Sequence, residues 1–434
     1  MFATGSLLFT FCMPRRLIIL GSTGSIGTQS LDVVEHINAL HAAGRSPVRF
    51  EVVGIAAGGG NTALLAEQAR WFKVGAVACP GAMSRAELPA GCQVFGGPTA
   101  AEDLVRSVDC DIVVAAIVGT AGLPATLAAV QEGRDVALAN KETLVAAGEL
   151  VVPLAHDPAG RVRLLPIDSE HAALWQCLLA GQGPRAAEDD PHPHEWCPPW
   201  VRAPGLKRAV LTASGGPFRT WPRERLDTAT VAEALKHPTW SMGAKVSVDS
   251  ASLMNKTLEV IEAHWLFGLD AEQIEVLIHP QSLVHAMAEF VDGSVVAQLA
   301  APDMRTPIQR ALCYPRVILG AGRPLDWRAL SGLEFEAPDL ERFPALRLAP
   351  AVIERGGTAG AILNGANEEA VAAFLHSARG GPRIAFPRIA EVVGAALEEV
   401  PSRPLRSLED CSESERAARE FVRRHLGLPC AAHA

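Results

Sequence analysis

Two stretches of the chain carry side chains whose types and spacing suit joint chemistry. In "LLPIDSEHAALW", Asp168 and Glu170 flank Ser169 directly after an apolar run. Two carboxylates so close on a loop can both turn inward to hold a hard divalent cation such as magnesium or manganese. Taken alone, the same residues also suit the cap and first-turn charge of a helix beginning near Ala172. In "WSMGAKVSVDSASLMNKTLEVIEA" (240–263), Asn255 and Lys256 lie four and three residues before Glu259. A helix brings residues at those spacings onto one face. Leu253, Leu258, Ile261 and Trp265 make this helix a packed one, with Ser250 as the expected N-cap, so a polar wedge inside it calls for a ligand. Glu259 can complete an oxygen site with Asp168 and Glu170, and Asn255 and Lys256 can reach substrate oxygens.

A phosphate has its own candidate cradle. "TASGGPF" (212–218) sets Ser214 before Gly215 and Gly216, the form of a backbone anion nest, or otherwise of a plain strand-ending turn. With Ser250, Asn255 and Lys256 it can grip a phosphate monoester. Near the N-terminus, "LIILGSTGSIGTQSLDVV" places Gly21, Gly24 and Gly27 between a buried strand and a helix. Glycines there let the backbone turn tightly and meet a pyrophosphate at the helix N-terminus, although a tight turn without a ligand reads the same. The second strand ends in "AAGGGNT" and carries no carboxylate for a ribose 2′-hydroxyl. The backbone amides of Gly59 and Gly60 and the side chain of Asn61 can instead receive a 2′-phosphate, which favours NADP over NAD.

These residues need a scaffold, and the apolar runs outline one. Residues 16–20, 50–57, 74–79, 111–117, 135–139 and 163–167 read as buried strands, with helical segments at 26–40, 62–71, 122–132 and 141–155 between them. Such alternation predicts an α/β, doubly wound parallel sheet of Rossmann type. Beyond a Pro-, Gly- and charge-rich loop (181–205), the pattern changes to α+β. There "AVLTASGG" and the alternating "KVSVDS" lead to "IEVLIHP", "SLVHAMAEFV" and "SVVAQLA", which read as antiparallel strands, the last two joined by a turn at Asp292–Gly293. His192, His194 and Cys197 in the loop have no ordinary metal-ligand spacing. Residues 314–346 are Pro-rich and suit a linker, and helical periodicity dominates 351–355, 358–377, 386–398 and 412–426. The expected division is a Rossmann-like domain (1–165), a catalytic α+β domain (166–313), a linker (314–346) and a helical domain (347–434).

Composition narrows the function classes. The chain has 434 residues, 49% hydrophobic and 20% charged, enough for several cores, and no run of 18 apolar residues that would predict a membrane span. A formal charge of −9 argues against a nucleic-acid partner while permitting a local basic pocket. Nine scattered cysteines without a CxxC pair read as thiols of a reducing cytoplasm. The opening "MFATGSLLFTFC" has no basic n-region and no cleavage site, so residues 1–14 read as an extension, with Met13 as a second possible start.

"GSTGSIG", "LANKETLV", "PIDSEH", "ASGGPF", "HPTWSMGAKVSVDSASLMNKTLEVIEA" and "HPQSLVHAM", in this order, closely resemble the 1-deoxy-D-xylulose 5-phosphate reductoisomerases. The likeness runs from about residue 15 to the C-terminus. It implies an NADPH- and divalent-metal-dependent homodimer of the non-mevalonate isoprenoid pathway, converting deoxyxylulose phosphate to 2-C-methyl-D-erythritol 4-phosphate through a branched aldehyde. Either a retro-aldol step with re-addition or a 1,2-shift would rearrange the skeleton. Carried over by position, the resemblance gives cofactor contacts at Thr23, Gly24, Ser25, Ile26, Gly59, Gly60, Asn61, Asn140, Glu142 and Gly243. It gives metal ligands at Asp168, Glu170 and Glu259. Substrate contacts fall at Lys141, Ser169, Glu170, Ser214, His237, Trp240, Ser250, Asn255, Lys256 and Glu259, and Lys141, Asp168, Glu170, His237 and Glu259 make up the catalytic set. Trp240 sits on a closing flap near 236–246. Members of the family commonly carry a basic residue where Gly60 stands, which implies weaker NADPH affinity or selectivity here; Thr257 replaces a commoner Gly, and the loop after Glu170 is longer than in many relatives. Two other readings share part of these residues: a metal-dependent sugar-phosphate isomerase or aldolase without redox chemistry, which Gly60 alone supports, and a non-catalytic NADP-binding regulator, which the filled charged positions disfavour.

Overall fold

The computed structural model describes residues 13–156, 162–181, 197–200, 203, 205–240, 242–377 and 384–429. Strand β1 (Arg15–Leu20) ends in four fully buried residues, and α1 (Ser25–Ala42), β2 (Phe50–Ala56), α2 (Thr62–Phe72) and β3 (Ala76–Ala78) follow it. Next come β4 (Gln93–Phe95), α3 (Ala100–Ser107), β5 (Ile112–Ala115), α4 (Leu123–Gln131), β6 (Asp135–Leu138), α5 (Glu142–Ala155) and β7 (Leu164–Pro166). The strands form one sheet in the order β4-β3-β2-β1-β5-β6-β7, all neighbours parallel. This is the predicted doubly wound arrangement. Strand β4 and helix α3 are additions: three residues of half-buried strand and a markedly polar helix leave too short a pattern to read.

The order reverses between β1 and β5, where open α/β sheets form their ligand crevice. Gly21 turns the chain there at φ +80°, and a Cβ on it would stand 2.4 Å from the Ala116 carbonyl oxygen. Gly27 packs the first turn of α1 onto that loop, its virtual Cβ 2.2 Å from Gly21 O. Gly24, the N-cap of α1, has no side chain to offer the helix's first amides and is exposed. Two of the three glycines are therefore required by close packing, and the third leaves a helix N-terminus open to an anion.

After α6 (Ser169–Gly181) comes β8 (Leu206–Ala213), then two short helices, α7 (Arg223–Leu226) and α8 (Val231–Ala234), and then α9 (Ala244–Ala251) and α10 (Met254–Phe267). Strands β9 (Ile274–Ile278), β10 (Val284–Phe290) and β11 (Val295–Leu299) precede α11 (Arg305–Cys313). The second sheet runs β11-β10-β8-β9, and α6 packs on β10 and β11. Three expectations need correction here. The alternating "KVSVDS" is helix α9, not a strand: a run this short also satisfies helical spacing, and the helix buries Ser247, Val248, Asp249 and Ala251. Strand β9 is parallel to β8 while β10 and β11 run antiparallel, because the helices between β8 and β9 form the long crossover that parallel pairing needs. Ser250 does not cap α10. It lies in the last turn of α9, and α10 begins after Leu253, whose left-handed φ of 60° turns the chain.

Residues 314–346 contain two 3-10 turns and a bridge from Glu336 to Ile278. Helices α12 (Leu348–Arg355), α13 (Ala359–Ser377), α14 (Arg388–Glu399) and α15 (Leu408–His425) then pack chiefly around α13. Helix α5 is held between α10 and α13. Gly148 admits the Trp265 ring, and Gly360 comes so close that a Cβ would stand 1.7 Å from Val145 O. That clamp fixes the start of α5 relative to α10, which positions the candidate site.

Candidate active site

The chain leaves β6 at Leu138 and enters α5 through Asn140 and Lys141, while β7 runs into Asp168 and the start of α6. Both strand ends open on the same side of the sheet. Ser169 and Glu170 lie in the first turn of α6 and not on a loop, and Ala172 N donates to Asp168 O at 2.8 Å. The helix-start reading of this motif is what the backbone shows, and Asp168 and Glu170 remain free to face the second layer from there. From the second layer, α10 presents Asn255, Lys256 and Glu259.

Carboxylate oxygens of Asp168, Glu170 and Glu259 lie within 4.8 Å of one another. Lys256 Nζ donates to Glu170 Oε1 at 2.9 Å, to Glu259 Oε2 and to Thr212 O at 2.6 Å. Lys141 Nζ pairs with Asp168 and reaches Glu259 Oε1 and Asn255 Oδ1, each at 3.1 Å. Burial alone would pull both ammonium groups down, yet Asp168 and Glu259 keep Lys141 well above its ordinary value, and Glu170 and Glu259 raise Lys256. Burial and Glu259 push the Glu170 carboxyl up, and Lys256 and Ser169 more than reverse this. Three carboxylates face two ammonium groups, so the cluster keeps an excess negative charge. An all-oxygen, net-negative set of this kind fits a hard divalent cation. Behind it, His171 Nε2 contacts Glu259 O at 2.8 Å, and His171 Nδ1 lies 3.5 Å from Glu262.

The nest stands next to this cluster. Gly215 and Gly216 have φ of +82° and +69°, and Gly216 N donates to Ser214 Oγ at 3.2 Å. A Cβ on Gly216 would lie 2.7 Å from Ser250 O, so glycine is what brings the end of β8 against α9 and Ser214 near Ser250. Ser214 Oγ also meets His237 Nε2 at 2.9 Å. His237 Nδ1 accepts the backbone N–H groups of Thr239 and Trp240, at 3.1 and 2.9 Å, which assigns the ring proton to Nε2. Burial lowers its pKa to about 4, so the ring is a neutral donor at ordinary pH.

These groups line one cavity of about 860 Å³. Its wall includes Gly24, Ser25, Ile26, Asn140, Lys141, Glu142, Asp168, Ser169, Glu170, Ser214, His237, Trp240, Gly243, Ser250, Asn255, Lys256 and Glu259. It therefore joins the dinucleotide crevice to the carboxylate cluster. Asn140 also serves structure: its Nδ2 donates to Ile117 O and to Gly119 O, the latter at 2.8 Å, and its Oδ1 accepts from Thr143 N. Thr23, Gly59, Gly60 and Asn61 do not line this cavity. The last three follow β2, one strand over from β1, and Asn61 Oδ1 caps α2 through Leu64 N. Gly60 is exposed, and a Cβ there would meet nothing within 4 Å.

The residue-by-residue reading missed His285, Lys245, Asp249 and Met304, which also line the cavity. The His285 ring lies 6.4 Å from that of Trp240, and burial lowers its pKa. The signal for His285 was present in "HPQSLVHAM", whereas Met304, at the start of α11, is brought in by the packing of that helix on α1, α6, β6 and β7. Of the loop residues His192, His194 and Cys197, the two histidines lie outside the described residues. Cys197 is buried, its thiol pushed up to about 12 by desolvation.

A doubly wound dinucleotide crevice that opens onto a carboxylate-rich pocket defines the class, a dinucleotide-dependent oxidoreductase. Three family models match the chain: 1-deoxy-D-xylulose 5-phosphate reductoisomerase over residues 17–148, the reductoisomerase C-terminal domain over 164–267, and the DXP reductoisomerase C-terminal domain over 299–421. The 1-deoxy-D-xylulose 5-phosphate reductoisomerase of Gloeobacter violaceus is 47% identical, over 94% of this chain and 97% of its own. A crystal structure of DOX-P reductoisomerase with NADPH, fosmidomycin and magnesium superposes with a TM-score of 0.81 at 36% identity, covering 95% of this chain and 98% of that one. The Zymomonas mobilis enzyme in complex with NADPH gives a TM-score of 0.80 at 37% identity, covering 95% and 99%. The chain belongs to the 1-deoxy-D-xylulose 5-phosphate reductoisomerase family.

Proposed function

We propose that this chain carries out the NADPH- and divalent-metal-dependent isomerisation and reduction of 1-deoxy-D-xylulose 5-phosphate to 2-C-methyl-D-erythritol 4-phosphate. The observation that carries the reading is the convergence of Asp168, Glu170 and Glu259 beside a backbone nest, in one cavity with the N-terminus of α1. Asp168, Glu170 and Glu259 would hold magnesium or manganese, which when bound supplies Lewis-acid stabilisation of charge on neighbouring substrate oxygens. NADPH supplies the hydride for the aldehyde. Gly24, Ser25 and Ile26 would receive its pyrophosphate, and Thr23, Gly59, Gly60 and Asn61 the adenosine side. Asn140, Glu142 and Gly243 would line the nicotinamide end.

The chain's own residues divide the remaining work. Ser214, Ser250, Asn255, Lys256 and neutral His237 grip the phosphate, so the reacting carbons lie at a set distance from it. Lys141, between Asp168 and Glu259, places a fixed positive charge where substrate oxygens become negative. Ser169 fixes Glu170 through a 2.7 Å hydrogen bond and stands ready for a substrate hydroxyl. Trp240, on the segment from 236 to 246, closes over the bound substrate and excludes water from the aldehyde. In this reading residues 1–165 bind the nucleotide, 166–313 do the chemistry, 314–346 link, and 347–434 form the helical domain.

The family likeness also supports a homodimer, and the edge strand β11 with its exposed Val295 offers a surface for it. Sedimentation equilibrium is expected to give twice the 45.9 kDa chain mass, against a monomer if the inference is wrong. Among the described residues no helix is long and apolar enough to cross a membrane, and the seven described cysteines are free thiols. The deciding assay follows NADPH absorbance with deoxyxylulose phosphate and magnesium. Folded protein that leaves the absorbance unchanged refutes the redox reading and leaves the redox-free isomerase or the regulator.

A further inference from the structure

Lys245 sits in the first turn of α9, two residues past Gly243 and at the foot of the flap segment. It lines the cavity, although nothing in its sequence context marks it as a ligand. Its Nζ donates to Glu142 Oε1 at 2.9 Å and to Asp249 Oδ2 at 2.8 Å. Asp249 Oδ1 in turn accepts from Asn367 Nδ2 of α13 at 2.9 Å. Glu142, Asp249 and Asn367 are 5%, 1% and 0% exposed, so the chain of contacts runs through the interior from α13 to the cavity wall. One ammonium serves two buried carboxylates, so the placement of both Glu142 and Asp249 depends on the same side chain. Burial pushes the Glu142 carboxyl up, and Lys245 more than offsets this, so Glu142 stays a charged acceptor. A charged acceptor on a cavity wall suits a ligand with hydroxyl or amide N–H donors, such as a nicotinamide riboside.

We propose that Lys245 is a positioning residue for the nicotinamide cofactor: it holds the Glu142 carboxylate in place at the cavity wall and anchors it, through Asp249 and Asn367, to α13. Because Lys245 also starts the helix that ends the flap, cofactor contact and flap anchorage share one side chain. The inference rests on the reading above that Glu142 meets NADPH.

A double-mutant cycle on NADPH affinity tests it, with the NADPH dissociation constant read from fluorescence and folding checked by thermal melts. Lys245→Met and Glu142→Gln are each expected to weaken NADPH about tenfold or more, the size of one lost charge-assisted contact. In the Glu142→Gln background, Lys245→Met should add less than about twofold, because it acts through the same carboxylate. Lys245→Arg should restore most of the affinity. Lys245→Gln takes the place of the Met variant in the cycle should the latter not fold. Independent, multiplying losses would overturn the positioning role while leaving Glu142 as a cofactor contact. Wild-type affinity in Glu142→Gln would instead remove Glu142 from the cofactor site and overturn both statements.

Discussion

Glu259 is 1% exposed and receives Lys256, Lys141 and Asn255 on its two oxygens. Glu259→Gln keeps its shape and removes a charge from the three-carboxylate set. Metal-dependent turnover is expected to fall by about a hundredfold or more, as several kcal/mol of charge stabilisation are lost, while NADPH still binds. Turnover like that of the wild type, measured with saturating magnesium, would remove Glu259 from the metal site. His237 makes a pH prediction. Its folded pKa of about 4 lies below the ordinary 6.5, so the unfolded chain binds more protons between those values. Its contribution to stability is therefore complete above about 6.5 and is lost as pH falls toward 4. His237→Gln should flatten the fall in Tm across that window, and an unchanged slope would show that the ring does not titrate this way. These residue types were legible in the sequence because a carboxylate pair, a Ser-Gly-Gly run and an Asn-Lys-x-x-Glu spacing each have few uses. Lys245 was not legible, since a lysine at the start of a helix is ordinarily a solvated charge.

Among the elements, α5 is clamped on two sides, with Gly148 against Trp265 on one and Gly360 against Val145 O on the other. Gly360→Ala would drive a methyl into a backbone carbonyl and part α13 from α5. A loss of about 1–3 kcal/mol or more in urea unfolding is expected, as for other overpacked sites. Because α5 begins at Lys141 and Glu142, a rise in the KM for NADPH should accompany it, whereas unaltered stability would mean that the helix pair relaxes freely. The strands of the first sheet were legible as apolar runs because parallel strands are buried on both faces. The "KVSVDS" helix was not, because its six residues fit either period. The parallel pairing of β9 was not either, because strand direction follows from the long crossover between β8 and β9 and leaves no mark within the strand.

At the scale of the molecule, the site exists only where the two sheets and α10 meet. Asp168 and Glu259 are far apart in sequence, and their carboxylates converge because α6 and α10 are both packed into the same interior. Removing the cation should therefore be felt by the whole fold. Saturating magnesium, at about a hundred times its Kd, stabilises a folded chain by about 2.7 kcal/mol through binding alone. A chelator is expected to lower Tm by the corresponding amount and to abolish turnover, and re-added magnesium or manganese to restore both. A Tm indifferent to magnesium would mean that the carboxylates are held by Lys141 and Lys256 alone.

The sequence by itself determined the chemistry on offer: three carboxylates, two lysines, a nest and a glycine-rich turn, each recognisable from local spacing because its function needs that spacing. It also determined six of the seven strands of the first sheet, whose buried runs and intervening helices allow few other arrangements. Only the tertiary structure decided which of these groups share a cavity. It also decided that Thr23 and Gly59 to Asn61 stand outside that cavity's wall, and that Lys245 bridges Glu142 to α13. Those are contacts between distant segments, set by helix packing and close glycine approaches, and no local pattern in the chain encodes them.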